Sequence, residues 1–201
     1  MAALLALVPL AAAPSAVASG VRVQGTALQY TELPGEGDAD LTVTAIGGGQ
    51  YQVSDPGTTI IPLDNCADAD GDGHRIVCDG PNVATVAVFV EDGNDQATID
   101  TGADAFVCGG EGDDILAAGT GQDALIGGPG GDALSGGSGV DDLYAENMAD
   151  CSDDPWGGTS SRNSLDGAGG ADFMYGGPGD DALNGGGGDD FLFGFAGADR
   201  V

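Results

Sequence analysis

The sequence predicts an all-β chain, a small β module followed by a repeat-built β-solenoid, and three observations carry that prediction. Glycine and acid dominate the composition: 39 of 201 residues are Gly, and Asp+Glu 33 stand against Lys+Arg 4, for a formal net charge of −29. A nine-residue period runs from Gly109 to Val201, and ahead of it lie short segments of alternating polarity. Helical bundles are excluded because Gly costs about 1 kcal/mol per helical position against Ala, and Asp is a poor helix former. Collagen fails because Gly stays below a third and has no three-residue period. Hydrophobic residues at 41%, regularly placed, exclude a solvating acidic tail. The negative charge excludes nucleic acid as a partner and disfavours anionic membranes, since phosphate contacts need clustered Lys and Arg. Asp outnumbers Glu 28 to 5, which suggests short carboxylates close to a turning backbone. A hard cation wants that arrangement, and calcium is the partner implied.

Residues 1–18, MAALLALVPLAAAPSAVA, read as a secretory signal peptide: an apolar run from Ala2 to Leu10, Pro9 and Pro14, and an A-x-A ending at Ala16-Val17-Ala18. No Lys or Arg precedes the run, the one part of that pattern missing. The run is shorter than the roughly 20 residues of a membrane span, so no span is expected in the mature chain. Four cysteines in an exported chain favour disulfides, and four allow three pairings. Cys66 with Cys78 closes a short acidic loop, which leaves Cys108 with Cys151. A zinc site is disfavoured, because the spacing lacks C-x-x-C and the chain has one His.

Residues 19–90 form the expected β module. Val21-Arg22-Val23, Leu41 to Ile46, Tyr51 to Val53 and Val83 to Val90 read as strands, Gly47-Gly48-Gly49 as a hairpin connection, and Asp55-Pro56-Gly57 and Gly80-Pro81 as turns. Val86, Val88 and Val90 lead into the next region. Between the first two cysteines, Asp68, Asp70, Asp72 and Gly73 fall at positions 1, 3, 5 and 6 of an EF-hand-like loop, with Asp79 at position 12. No helical pattern flanks it, so a bound cation and a solvated acidic turn both fit. No G-x-S-x-G elbow, H-E-x-x-H or phosphate-cradling G-K-[ST] occurs, and His74 reads as a surface polar residue. No enzymatic activity is expected.

From Gly109 the chain divides into nines: GGEGDDILA, AGTGQDALI, GGPGGDALS, GGSGVDDLY, then GAGGADFMY, GGPGDDALN, GGGGDDFLF and GFAGADRV. The pattern is G-G-x-G-x-D-x-U-x, with U a large apolar residue. The sixth positions are Asp114, Asp123, Asp132, Asp141, Asp172, Asp181, Asp190 and Asp199. The U positions are Leu116, Leu125, Leu134, Leu143, Met174, Leu183, Leu192 and Val201. A weaker copy, residues 158–166, puts Asn163 in the carboxylate position and Leu165 at U. Upstream, worn copies place Asp95 and Asp104 at the sixth position, with Ala97 and Phe106 at U. An interruption at about 145–157 reads as a loop, with Trp156 as a lid over the hydrophobic edge.

The nonapeptides resemble the RTX, or haemolysin-type, calcium-binding repeat over residues 109–201. The resemblance implies that residues 91–201 form a parallel β-roll with two nonapeptides per turn, and that calcium lies between loops two repeats apart. It implies sixth-position carboxylates as ligands, with Asn163 offering an oxygen of less charge. The carbonyls of Gly109, Gly112, Gly127, Gly130, Gly136, Gly139, Gly176, Gly179, Gly185 and Gly188 would complete the sites. The layout also looks like that of secreted bacterial proteins in which a short β module precedes such repeats. The function expected is that of an exported calcium-binding protein, at the cell surface or in the medium, with a structural or interaction role and calcium-dependent folding. Rival readings are the calcium-binding segment of a larger secreted protease or lipase, or an adhesin. Because Val201 is the U residue of an unfinished repeat, the chain is expected to be a fragment or to be capped by another element, and its roll edge to self-associate.

Overall fold

The computed structural model describes residues 19–145 and 162–201. The strands in chain order are β1 (Ser19–Gln24), β2 (Ala27–Thr31), β3 (Asp40–Gly47), β4 (Gln50–Ser54), β5 (Ile60–Pro62), β6 (Cys66–Asp68), β7 (Arg75–Asp79), β8 (Thr85–Phe89), β9 (Gln96–Asp100) and β10 (Asp104–Cys108). They continue as β11 (Ile115–Ala117), β12 (Thr120–Gly121), β13 (Ala124–Ile126), β14 (Ala133–Ser135), β15 (Ser138–Gly139), β16 (Asp142–Tyr144), β17 (Ser164–Asp166), β18 (Phe173–Tyr175), β19 (Ala182–Asn184) and β20 (Phe191–Phe193). There is no helix among the described residues, so none there is long and apolar enough to cross a membrane. The fold is all-β, as the composition predicted.

The repeats alternate between two sheets. One runs β20-β18-β16-β13-β10-β8-β2-β1-β5 and the other β19-β17-β14-β11-β9-β3-β4-β7-β6. From β2 and β3 to the C-terminal end every ladder is parallel, and two nonapeptides make one turn of a roll. Three residues per strand suffice because the middle one, U, is the only side chain that must face inward. In the first sheet Tyr30, Val88, Val107, Leu125, Leu143, Met174 and Leu192 stand in register; in the second, Leu41, Ala97, Leu116, Leu134, Leu165 and Leu183. All but Leu192 belong to the buried core. Burying each Leu contributes about 1.5–3 kcal/mol, so the roll has two thin apolar columns for a core.

The N-terminal strands do not stack as a separate layer. They extend the same two sheets, with the pairing turning antiparallel beyond β2 and β3, β1 against β2, β4 against β3, β7 against β4 and β6 against β7, while β5 closes its sheet in parallel with β1. Val21, Leu28, Val43, Val53, Ile60 and Ile76 close the core at this end. The Gly47-Gly48-Gly49 hairpin is present, all three residues with positive φ, and Asp55 Oδ1 caps its turn by accepting from the amides of Gly57 (2.7 Å) and Thr58 (3.0 Å). Cys66 and Cys78 are disulfide-bonded and face each other across β6 and β7. The signal segment, Cys151 and with it the Cys108–Cys151 pairing, Trp156, and the interruption beyond Ala145 lie outside the described residues.

One register expectation fails. Phe106 was placed at U and Asp104 at the sixth position, yet Val107 pairs with Leu125 and is fully buried, whereas Phe106 is half-buried and Asp104 exposed. The sixth position belongs to Ala105, and Asp104 stands one place earlier. The cause is the ladder to β8, whose inward residues Val86 and Val88 select Ala105 and Val107; a slip of one residue would turn that face outward.

Candidate metal centre

Each turn of the roll brings a sixth-position side chain over the rung of the turn before it, 18 residues away where the repeats are uninterrupted, and the two are linked by a repeated hydrogen bond. On one edge the amides of Ala39, Asp95, Asp114, Asp132, Asn163 and Asp181 donate to Oδ1 of Asp95, Asp114, Asp132, Asn163, Asp181 and Asp199 in turn, at 2.7 to 3.1 Å. On the other edge Ala105, Asp123, Asp141 and Asp172 donate to Asp123, Asp141, Asp172 and Asp190, at 2.6 to 3.1 Å. These ladders fix one carboxylate oxygen of every repeat. Asp104, excluded from them, accepts from the Gln122 amide (3.0 Å) in a parallel, exposed ladder of fifth-position side chains.

The other oxygen has a different fate. Asp95, Asp114, Asp123, Asp141, Asp172 and Asp181 are at most 2% exposed, and Oδ2 of each is buried without a hydrogen-bond partner. The neighbouring groups are themselves acceptors: Asp114 Oδ2 and the Gly127 carbonyl oxygen both crowd the point where a Cβ on Gly109 would stand. The same crowding joins Asp172 with the Gly185 carbonyl at Gly167, and Asp181 with the Gly194 carbonyl at Gly176. A buried carboxylate left without a partner costs several kcal/mol. A carboxylate oxygen beside a carbonyl oxygen is reconciled by a proton or a cation. Burial, chiefly, raises the carboxyl pKa values of Asp114, Asp123 and Asp141 to about 6 and that of Asp95 to about 7, and pushes those of Asp172 and Asp181 up as well.

Asn163 shows the same position solved without a cation. Its Oδ1 accepts from Asp132 (2.8 Å), as an Asp would, while its Nδ2 donates to the Gly176 carbonyl at 3.2 Å. An amide thus completes with a hydrogen bond the contact that a carboxylate leaves between two acceptors. Asn163, read as a calcium ligand from the sequence, spends both ends of its amide on the protein.

The glycines stack as tightly as the ladders require. A Cβ on Gly112 or Gly139 would overlap the carbonyl oxygen of Gly93 or Gly121, one turn earlier, and both residues hold positive φ (137° and 150°). The carbonyls of Gly127, Gly179 and Gly185 likewise crowd the Cβ positions of Gly109, Gly197 and Gly167 on neighbouring turns. Among the described residues no three His, Cys, Asp or Glu side chains converge as a cage for a metal ion. Backbone carbonyls would therefore have to supply much of the oxygen shell around any ion in the roll. That donor set, all oxygen and partly backbone, suits calcium, which takes six to eight oxygens in flexible geometry.

The acidic loop of the N-terminal region is arranged otherwise. Asp68 accepts from the amides of Asp70 (3.1 Å), Gly71 (2.8 Å) and Gly73 (3.0 Å), Asp72 accepts from His74 (3.0 Å), and Asp70 is paired with Arg75. Asp79 lies in β7 and accepts from Gln50 Nε2 (2.8 Å). The carboxylates of the EF-hand-like spacing therefore brace a β-turn, and no helices flank it.

Sequence reasoning missed one further loop. Gly35, Gly37, Ala39 and Leu41 occupy the second, fourth, sixth and U positions of a repeat at residues 34–42, with the ladder bond from Ala39 to Asp95 and Leu41 paired with Ala97. The missing carboxylate at position 39 and a 56-residue gap to the next rung hid it. The spacing G-x-G ahead of an alternating strand was the available signal.

No curated protein and no solved structure matches the chain. The family model described as the RTX calcium-binding nonapeptide repeat matches residues 109–143, 158–183 and 175–201, four copies in all. Together with the parallel two-sheet roll and its rows of buried sixth-position carboxylates, this match shows that residues 109–143 and 158–201 carry RTX calcium-binding nonapeptide repeats.

Proposed function

We propose that the chain is an exported calcium-binding protein with a non-catalytic role, in which ion binding orders the roll and the roll acts as a structural element or an interaction surface outside the cell. The observation that carries this reading is the row of buried carboxylates whose second oxygen faces carbonyl oxygens in place of a donor. Calcium between such loops would replace repulsion with attraction at every turn, so binding and folding would be one event. Loops paired two repeats apart would give about four or five roll sites with six or more oxygens each. Export accords with the hydrophobic N-terminal segment and with the disulfide, which persists in oxidising surroundings. Self-association at the C-terminal edge is part of the proposal: β19 and β20 are edge strands, and Phe191, Phe193 and Phe195 beside them are about half exposed.

The test is circular dichroism of the full chain after chelation, followed by titration. Calcium is expected to bring up the strand signal and magnesium to do so poorly, because magnesium demands tighter octahedral geometry and keeps its water. Strand signal complete in chelator at neutral pH, or restored equally by magnesium, would overturn the reading.

A further inference from the structure

The first loop of the roll lacks the sixth-position carboxylate, and a different acid stands where it would be needed. The loop that follows β2 enters the stack at Glu32. The Glu32 amide donates to the Phe89 carbonyl (2.9 Å), in the same relation as Val90 to Cys108 (3.1 Å), Gly109 to Ile126 (2.9 Å) and Gly127 to Tyr144 (2.9 Å). By this hydrogen bond Glu32 stands where the later repeats carry their first residue, Gly109 and Gly127, with two more residues between it and Ala39 than a regular repeat has. At Gly109 a Cβ would run into Oδ2 of Asp114, the sixth residue of the same repeat. A side chain at the first position is thus directed at the place where the sixth-position carboxylate sits. In this loop the residue on the sixth-position rung is Ala39, which brings no carboxylate.

Glu32 is 1% exposed, and neither of its oxygens has a hydrogen-bond partner. It shares its surroundings with two further buried oxygens in the same state, Asp95 Oδ2 and Asp55 Oδ2. Asp95 lies on the next rung, joined to Ala39 by the ladder bond at 2.7 Å. Of the other acids of the loop, Glu36 is engaged by the Ser19 hydroxyl and Asp38 accepts from the Asn94 amide (2.9 Å). Arg22 and Arg75 are accounted for elsewhere, with Gln29 and Asp70, so neither neutralises the group.

We propose that Glu32 and Asp95, with carbonyls of loops 32–39 and 90–95, hold an additional calcium ion at the N-terminal end of the roll, outside the residues that match the repeat family. The carboxylate has moved from the sixth-position rung to the start of the loop, and the ion ties the N-terminal strands to the repeats. Asp55, whose Oδ2 is also buried without a partner, is a further carboxyl group acting on Glu32. Burial first, and then Asp95, Glu36 and Asp55, raise Glu32 to about 8, the mark of a carboxylate awaiting a positive partner.

The proposal rests on the reading that the repeat loops bind calcium, and the experiment separates the two. Bound calcium is counted by native mass spectrometry on the full chain, on Glu32→Gln, on Glu32→Gln/Ala39→Asp, and on Asp172→Asn as a roll control. Glu32→Gln is expected to bind one ion fewer than the parent, and Ala39→Asp to restore it by returning the carboxylate to its usual position. If Glu32→Gln keeps the full count while Asp172→Asn loses an ion, the proposal falls and the roll reading stands. If the parent binds none, both fall. Should Glu32→Gln fail to fold, Tyr30→Phe serves: Tyr30, buried in β2, lies two residues before the buried Glu32. Terbium in place of calcium, excited through tyrosine, is expected to emit less in Tyr30→Phe with the metal count unchanged, and undiminished emission overturns the proposal.

Discussion

Acid should do part of calcium's work. The carboxyl groups of Asp114, Asp123 and Asp141 have pKa values of about 6, and that of Asp95 about 7, against about 3.9 for an Asp in an unfolded chain. A folded-state value above the unfolded one means that the protonated group favours the fold. That contribution is complete below about pH 4 and is lost as pH rises through 6 to 7. At 1.36 kcal/mol per unit, each group disfavours the metal-free fold by about 3 kcal/mol once ionised, and four of them by on the order of 10 kcal/mol. This is as large as the whole stability of an ordinary domain. With chelator present, strand content is therefore expected to be low at pH 8 and to rise between pH 7 and pH 5. The assay is far-UV circular dichroism in chelator across pH, with a parallel series in calcium, where the midpoint concentration should increase as pH falls because protons and calcium compete for the same oxygens. Strand signal that is level from pH 8 to pH 5 in chelator, or that declines on acidification, would refute the argument.

Three further outcomes follow from the geometry. Gly139→Ala forces a Cβ onto the Gly121 carbonyl at positive φ, and is expected to cost at least about 1–3 kcal/mol in thermal or urea unfolding of the calcium-loaded chain; Gly25→Ala, also at positive φ but with open space around it, should cost no more than about 1 kcal/mol. Asp104→Asn should leave the calcium count unchanged, whereas Asp123→Asn, one position later in the next turn, should lower it; equal counts in isothermal titration would return Asp104 to the sixth position. Replacing Cys66 and Cys78 together by Ala opens a link across 12 residues and should lower stability by about 3 kcal/mol without changing the number of ions bound by the roll.

The nonapeptide period made the fold class and the calcium-binding rows legible because each position has one job: Gly where a carbonyl passes close, Asp at the rung, U toward the core. Where a residue departs from that assignment, legibility fails for a physical reason. At residues 102–107 the glycine and the acid each sit one place early, so an alignment anchored on Asp104 put the wrong face inward. The apolar demand of the ladder to β8 decided otherwise. β2, β5 and β7 carry no repeat signal, and their places are set by pairing across tens of residues, such as Leu28 with Val86, Ser19 with Ile60 and Gln50 with Asp79.

The departures also indicate what the rung requires. Asn163 and Glu32 are both exceptions, and they err in opposite directions. Asn163 keeps the position and exchanges an oxygen for a nitrogen, which donates to the Gly176 carbonyl and removes the need for an ion at that point. Glu32 keeps the charge and gives up the position, entering from the start of a loop whose rung residue is Ala39. One substitution satisfies the carbonyl and the other preserves the demand for a cation, so the two ought to respond oppositely to charge exchange. Asn163→Asp creates a new pair of facing acceptors and should make the roll more dependent on calcium. Glu32→Gln removes one and should make the N-terminal end less so. Unfolding midpoints of both variants against calcium concentration, measured beside the parent, check this: if the two midpoints shift with calcium in the same sense, the opposition of carboxylate and carbonyl oxygens is not what calcium relieves.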